Sequence, residues 1–109
     1  MNLRRDVFQA ISDPTRRAIL SLIAVNSMMT PNTVAEHFNS SRQTISKHMQ
    51  ILTECRLLKQ ELSGREIYYH LNPTKVKEVS DWVEQFRELW EGRLNQMEKV
   101  LKNMKNKKQ

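Results

Sequence analysis

Between Thr30 and Leu57 the chain reads Thr-Pro-Asn-Thr-Val-Ala-Glu-His-Phe-Asn-Ser-Ser-Arg-Gln-Thr-Ile-Ser-Lys-His-Met-Gln-Ile-Leu-Thr-Glu-Cys-Arg-Leu. Two short helices joined by a tight polar turn account for this run. Thr30-Pro31 is a cap followed by a proline at the first helical position, and Val34, Ala35 and Phe38 point inward from the helix it opens. Asn39-Ser40 makes the turn. Ser41 then caps a second helix in which Ile45, Met49 and Leu52 recur at i, i+4 and i+7 and must face the core. At about 100° per residue, burial of that stripe leaves Arg42, Gln43, Ser46, Lys47 and Gln50 outward or flanking. With Thr44, this row offers donors and acceptors suited to base edges and phosphates. That is the pattern of a helix-turn-helix whose second helix enters a major groove.

At 109 residues the chain is one domain long, and its core is small enough for a partner subunit to share. It carries 18 Lys and Arg against 12 Asp and Glu, a formal charge of +6 that favours polyanions as partners. The charge is unevenly placed. Residues 1–71 hold nine basic and six acidic side chains, whereas residues 75–98 hold four basic and six acidic. Lys99, Lys102, Lys105, Lys107 and Lys108 follow with no acid among them. This end either adds non-specific attraction to phosphates or is a solvated helix terminus. Cys55 is the only cysteine, which excludes an internal disulfide and a zinc site built on paired thiolates. A buried, inert thiol in a reducing cytoplasm is expected. No run approaches the roughly 20 apolar residues that span a bilayer, so the reading is a cytoplasmic protein with no membrane partner.

Leu3, Val7, Phe8 and Ile11 recur at helical spacing until Ser12-Asp13-Pro14 interrupts them and starts a second helix. Its stripe is Ala18, Ile19, Leu22 and Ile23, and it ends near Asn26 and Ser27. After Leu57 the period shortens. Leu58, Gln60 and Leu62, then Glu66 to Leu71, predict two strands around Ser63-Gly64-Arg65. A hairpin directly after a recognition helix is a wing, and Lys59, Arg65 and Tyr69 are placed to meet DNA beside it, while Tyr68 and Tyr69 equally fit closing the core.

Asn72-Pro73-Thr74 launches a long helix. Val76, Val79, Val83, Phe86, Trp90, Met97, Leu101 and Met104 keep three-and-four spacing, widened by Leu89, Leu94 and Val100, with Trp82 beside them. So small a domain cannot hide this stripe, and pairing with a second copy, helped by the first helix, is the simplest solution. The expected interface residues are Leu3, Val7, Val83, Phe86, Trp90, Met97 and Leu101. Gly92 weakens the helix locally by about 1 kcal/mol relative to alanine, which a close helix approach or a small kink would explain.

In this order of elements, and in Phe8-Gln-Ala-Ile-Ser-Asp-Pro-Thr-Arg-Arg-Ala-Ile-Leu20, Thr44-Ile-Ser-Lys-His-Met-Gln-Ile-Leu52, and Gly64-Arg65 with Tyr68-Tyr69, the chain resembles the ArsR family of winged-helix repressors over essentially its full length. The resemblance implies a mainly α fold: a winged helix-turn-helix of five helices plus a two-stranded β-hairpin, in a single domain 1–109 whose residues 72–109 form the dimerisation helix and basic tail. It implies a homodimer that binds an operator of imperfect inverted repeat in double-stranded DNA and blocks transcription. Carried over by position, Ser41, Arg42, Gln43, Thr44, Ser46 and Lys47 become operator contacts and Arg65 the wing contact. His48 also matches, as a residue that orients the helix or touches phosphate.

Two departures from the family pattern matter. Metal-sensing members place a cysteine pair in the helix before the turn, whereas Thr33-Val-Ala-Glu-His-Phe38 has no thiol; others bind zinc through Asp and His of the final helix, yet no histidine follows His70. His37, His48 and His70 lie on separate elements without ligand spacing, so neither a metal site nor a cofactor is expected. Second, where the family often has Ala-Gly-Leu, this chain has Cys55-Arg56-Leu57, so arginine must adopt a left-handed cap or end the helix differently. The rival reading is a winged-helix protein-interaction module without specific DNA binding. With no phosphate-cradling glycine loop and no nucleophile paired to a base, an enzyme is not expected.

Overall fold

The computed structural model describes residues 6–107. In chain order these form α1 (Val7–Ala10), α2 (Pro14–Asn26), α3 (Pro31–Ala35), α4 (Arg42–Glu54), β1 (Leu58–Ser63), β2 (Glu66–Leu71) and α5 (Pro73–Lys107). This is the mainly helical architecture with an antiparallel hairpin that the sequence predicts. Two compact units divide after Val79, with α5 starting in the first and supplying the second.

Local chemistry sets the first four helix starts. The side chains of Asp6, Asp13, Thr30 and Ser41 accept from the backbone N–H groups of Gln9, Arg16, Thr33 and Thr44, the orphan donors that an N-cap satisfies. Pro14 and Pro31 follow two of these caps. The core gathers Ile19, Ile23, Val34, Ile45, Met49, Leu52, Leu57 and Leu58, all essentially without solvent exposure. Two readings of the sequence need correction. Val7, expected at the dimer interface, is 4% exposed and belongs to this core, because the short α1 turns it inward between its caps. Leu3 lies outside the described residues. Ala18, expected in the α2 stripe, is exposed, and Leu20 packs against the core with Leu22 in its place. Helix α3 ends at Ala35, yet Phe38 still packs on the core from the turn that follows.

The hairpin pairs Leu58 with Leu71 through to Ser63 with Glu66, leaving Gly64 and Arg65 as a two-residue loop. Gly64 has φ +62°, the positive value needed at the first position of a type II′ turn. One neighbour of this sheet is absent from the sequence reading. Ser27 (φ 71°, ψ −54°) centres a γ-turn closed by Met28 N–H donating to Asn26 O at 2.9 Å. The turn brings Met29 against β2, where Met29 N–H donates to Tyr69 O at 3.0 Å and Tyr69 N–H to Met29 O at 2.8 Å. A single residue thus extends the sheet, too short a run to carry any periodicity.

Helix α4 ends in a Schellman pattern: Leu57 N–H donates to Leu52 O and Arg56 N–H to Thr53 O, both at 3.0 Å, with Arg56 at φ 65°. Arginine therefore does adopt the left-handed cap, and Asn72 holds it there by donating from Nδ2 to Arg56 O at 2.8 Å and from its backbone N–H to Leu57 O at 2.9 Å. A side chain in this conformation costs about 1–2 kcal/mol, partly offset for glycine by its larger loss of backbone entropy. Arg56→Gly is therefore expected to raise the free energy of unfolding by about 0.5–1 kcal/mol, read as a higher urea midpoint at unchanged slope.

In the second unit every large apolar side chain is exposed, including Trp82, Val83, Phe86, Leu89, Trp90, Leu94, Met97, Val100, Leu101 and Met104. They occupy one face at helical spacing. Trp82 and Phe86 meet edge to face at 4.8 Å, and Arg87 pairs with Glu84 and Glu91 on the polar side. Gly92 lies on that polar side of α5, so close approach across the apolar face does not explain it. Among the described residues no helix is long and apolar enough to cross a membrane.

Candidate nucleic-acid interface

Helix α4 sorts its residues by angle. Ile45, Met49 and Leu52 face the core, while Ser41, Arg42, Gln43, Thr44, Ser46, Lys47 and Gln50 are exposed. The structure thus brings the candidate contacts of the first two turns onto one outward face. Their roles differ. Ser41 Oγ accepts from Thr44 N–H at 3.1 Å and lies 2.9 Å from Thr44 Oγ1, so both hydroxyls are engaged in the cap and have only their remaining lone pairs and rotor freedom for a ligand. Arg42, Gln43, Ser46 and Lys47 have no side-chain partner among the described residues. Their hydrogen-bonding capacity is open.

Arg65, at the hairpin tip, is also exposed. It and Arg42, from separate elements, line a groove of about 220 Å³ with Thr30, Pro31, Asn32, Glu66 and Ile67. Two arginines against one glutamate on this lining leave a net positive notch beside the outward face of α4. Tyr69, which the sequence also offered as a contact, packs against the core, its ring oxygen accepting from Gln60 Nε2 at 2.8 Å. Tyr68 donates to Glu66 Oε2 at 3.0 Å, and that carboxylate raises its phenol pKa above the ordinary value.

His48 departs most from the expected row. Its side chain is 19% exposed, with Nδ1 at 3.3 Å from Arg16 Nη1 and 3.9 Å from Asp13 Oδ2. Arg16 also donates from Nε to Ala10 O at 2.7 Å and from Nη2 to Gln9 O at 3.3 Å, and Arg17 donates to Ile11 O at 2.8 Å. The Asp-Pro-Thr-Arg-Arg run therefore starts α2 and, through its two arginines, satisfies the orphan carbonyls that end α1. By position Arg16 and Arg17 fall in the first turn of α2, where no neighbour in sequence supplies either with a partner. Their reach back across six residues is a tertiary feature that no period announces.

Asp13 accepts from Arg16 N–H at 3.0 Å, and this bond, more than the nearby His48 and Arg16 charges, holds its carboxyl below the ordinary value against a smaller opposing effect of burial. A depressed carboxylate stabilises the fold fully above its unfolded value and loses that contribution as pH falls through the folded one. Asp13→Asn keeps a capping oxygen but cannot titrate. It is expected to flatten the acid limb of stability, seen as a smaller drop in urea midpoint between pH 5 and pH 2.5.

Among the described residues no group of three or more His, Cys, Asp or Glu gathers to hold a metal ion. Cys55 is buried.

Comparison with known proteins agrees with this geometry. A helix-turn-helix domain model matches residues 11–61. The transcriptional repressor SdpR of Bacillus subtilis (strain 168) is 43% identical over 81 residues, covering 74% of this chain and 89% of that protein. Among solved structures, an ArsR-like transcriptional regulator from Rhodococcus sp. RHA1 superposes with a TM-score of 0.66 at 30% identity, covering 86% of this chain and 88% of that one. The homodimeric winged helix-turn-helix DNA-binding domain of a possible ArsR-family regulator from Mycobacterium bovis shares the fold, with a TM-score of 0.61 at 22% identity over 75% of each chain.

Proposed function

Since the chain belongs to the ArsR family of winged helix-turn-helix transcriptional regulators, we propose that it is a homodimeric repressor of its own or a neighbouring operon, binding an imperfect inverted repeat in double-stranded DNA. The observation that carries this reading is the open row Arg42, Gln43, Ser46 and Lys47 on the outer face of α4, next to the notch shared by Arg42 and Arg65. A core has no use for such a row, and a duplex has one for every member. Gln43 suits a base edge, Lys47 a phosphate, and Arg65 the backbone beside the wing. The sequence carries neither the cysteine pair nor a final-helix histidine of the family's metal sites, and the reading is of a repressor not controlled by those sites.

Dimerisation is supported by the apolar face of α5. Val83, Trp90, Met97 and Met104 recur every seven residues, as do Phe86, Arg93 and Val100, the period of a helix-pairing seam. Arg93 is the exception, a cation in an otherwise apolar row. Its presence is expected to trade association strength for register. Arg93→Leu should tighten self-association by about 1 kcal/mol, roughly fivefold in dissociation constant, in sedimentation equilibrium.

The direct test is selection of bound fragments from random duplex DNA by the purified protein. A two-fold symmetric motif is expected, its half-sites about one helical turn apart. Failure of a folded dimer to enrich any motif at low salt would favour the interaction-module reading instead.

A further inference from the structure

Arginine stays protonated in proteins, so Arg16 Nη1 can only donate. Facing it at 3.3 Å, Nδ1 of His48 must therefore accept, and an accepting Nδ1 leaves the proton of the neutral ring on Nε2. Nε2 has no hydrogen-bond partner among the described residues and is not among the polar atoms closed off from solvent. His48 lies one residue after Lys47 and four after Thr44, at the inner edge of the outward face of α4. The guanidinium that fixes it is itself held by the carbonyls of Ala10 and Gln9 at the end of α1.

Building on the DNA-binding reading above, we propose that Arg16 is a positioning residue for that function: it locks His48 in the Nε2–H tautomer and so presents that N–H as a donor to a backbone phosphate. The arrangement runs from the end of α1 through one guanidinium to the recognition helix. An arginine fits because three of its nitrogens hold separate partners at once, whereas a lysine offers a single point of attachment. Asp13, at 3.9 Å from Nδ1, is the other charged group facing the ring. It caps α2 by accepting the backbone N–H of Arg16.

Two measurements test the proposal. Ring ¹⁵N shifts of the neutral His48 imidazole in the wild-type protein should report protonated Nε2 and bare Nδ1, and Arg16→Lys, which keeps a cation and a donor for the α1 carbonyls, should give a mixture of tautomers. A double-mutant cycle on the selected duplex supplies the functional arm. His48→Ala and Arg16→Lys are each expected to weaken binding about tenfold, and the double variant by little more than either alone, because both changes remove the same contact. Urea midpoints of the same variants separate loss of stability from loss of binding. A wild-type ring protonated on Nδ1, or losses that multiply to about a hundredfold, would overturn Arg16's role while leaving DNA binding intact. A wild-type protein that binds no duplex would remove the DNA reading itself.

Discussion

Replacing Trp90 by glutamate is expected to turn the dimer into a monomer over the micromolar range. Trp90 is 62% exposed in the single chain and stands on the seven-residue seam between Val83 and Met97, with Phe86 one turn before it. In the proposed pairing of α5 it would be buried against the partner helix, and large aromatics at interface centres carry most of the binding energy. Glutamate removes that surface and places a carboxylate in an apolar seam, for a combined loss of roughly 3 kcal/mol or more, at least a hundredfold in dissociation constant. Trp90→Phe serves as the control and should cost about tenfold or less. Because Trp90 lies beyond Val79, the urea transition of the first unit should be nearly unchanged. A monomer also loses the linkage of two half-sites, so operator affinity should fall by about 10²–10⁴ with each protomer's contacts intact. Sedimentation equilibrium checks the first claim and operator titration the second. An unaltered dimer would move the interface off this face of α5.

How far these conclusions were legible in the sequence differs by feature. Helix starts were readable because Asp13-Pro14, Thr30-Pro31 and Ser41 act within three residues, and the structure shows each side chain accepting from the backbone N–H three residues on. The outward row of α4 was readable for a related reason: Ile45, Met49 and Leu52 point one way, and geometry assigns the rest. What escaped depends on tertiary placement. Val7 fits an interface stripe as well as it fits a core until the short α1 is seen to tuck it in. The pairing of Met29 with Tyr69 rests on a positive φ at Ser27, a conformation for which serine carries no sequence signal. Arg56 was recognised as a misfit in a glycine-type position, but only the bonds from Asn72 show how it is held there. The partnership of Arg16 with His48 spans 32 residues, beyond any local rule.

Removing both arginines of the notch should change how binding depends on salt rather than which duplex is chosen. Arg42 and Arg65 lie on different elements yet line one groove, a placement suited to two grips on the sugar-phosphate backbone. Each phosphate contact releases counterions and contributes about 0.9 to the slope of log K against log salt, so Arg42→Ala with Arg65→Ala is expected to lower that slope by about two. Charge-assisted hydrogen bonds are worth roughly 1.5–3 kcal/mol each, so affinity at low salt should fall by about a hundredfold or more. Preference among operator variants should survive, because no base reader has been lost. Gln43→Ala gives the opposite signature: it carries no charge, so the slope stays, while discrimination at one base pair drops by about 1–3 kcal/mol. Titrations of cognate and single-substituted duplexes between 50 and 200 mM salt, values that bracket the steep part of the dependence, distinguish the two. Loss of preference on removing Arg42 would reassign it to a base, and an unchanged slope would take the wing off the duplex.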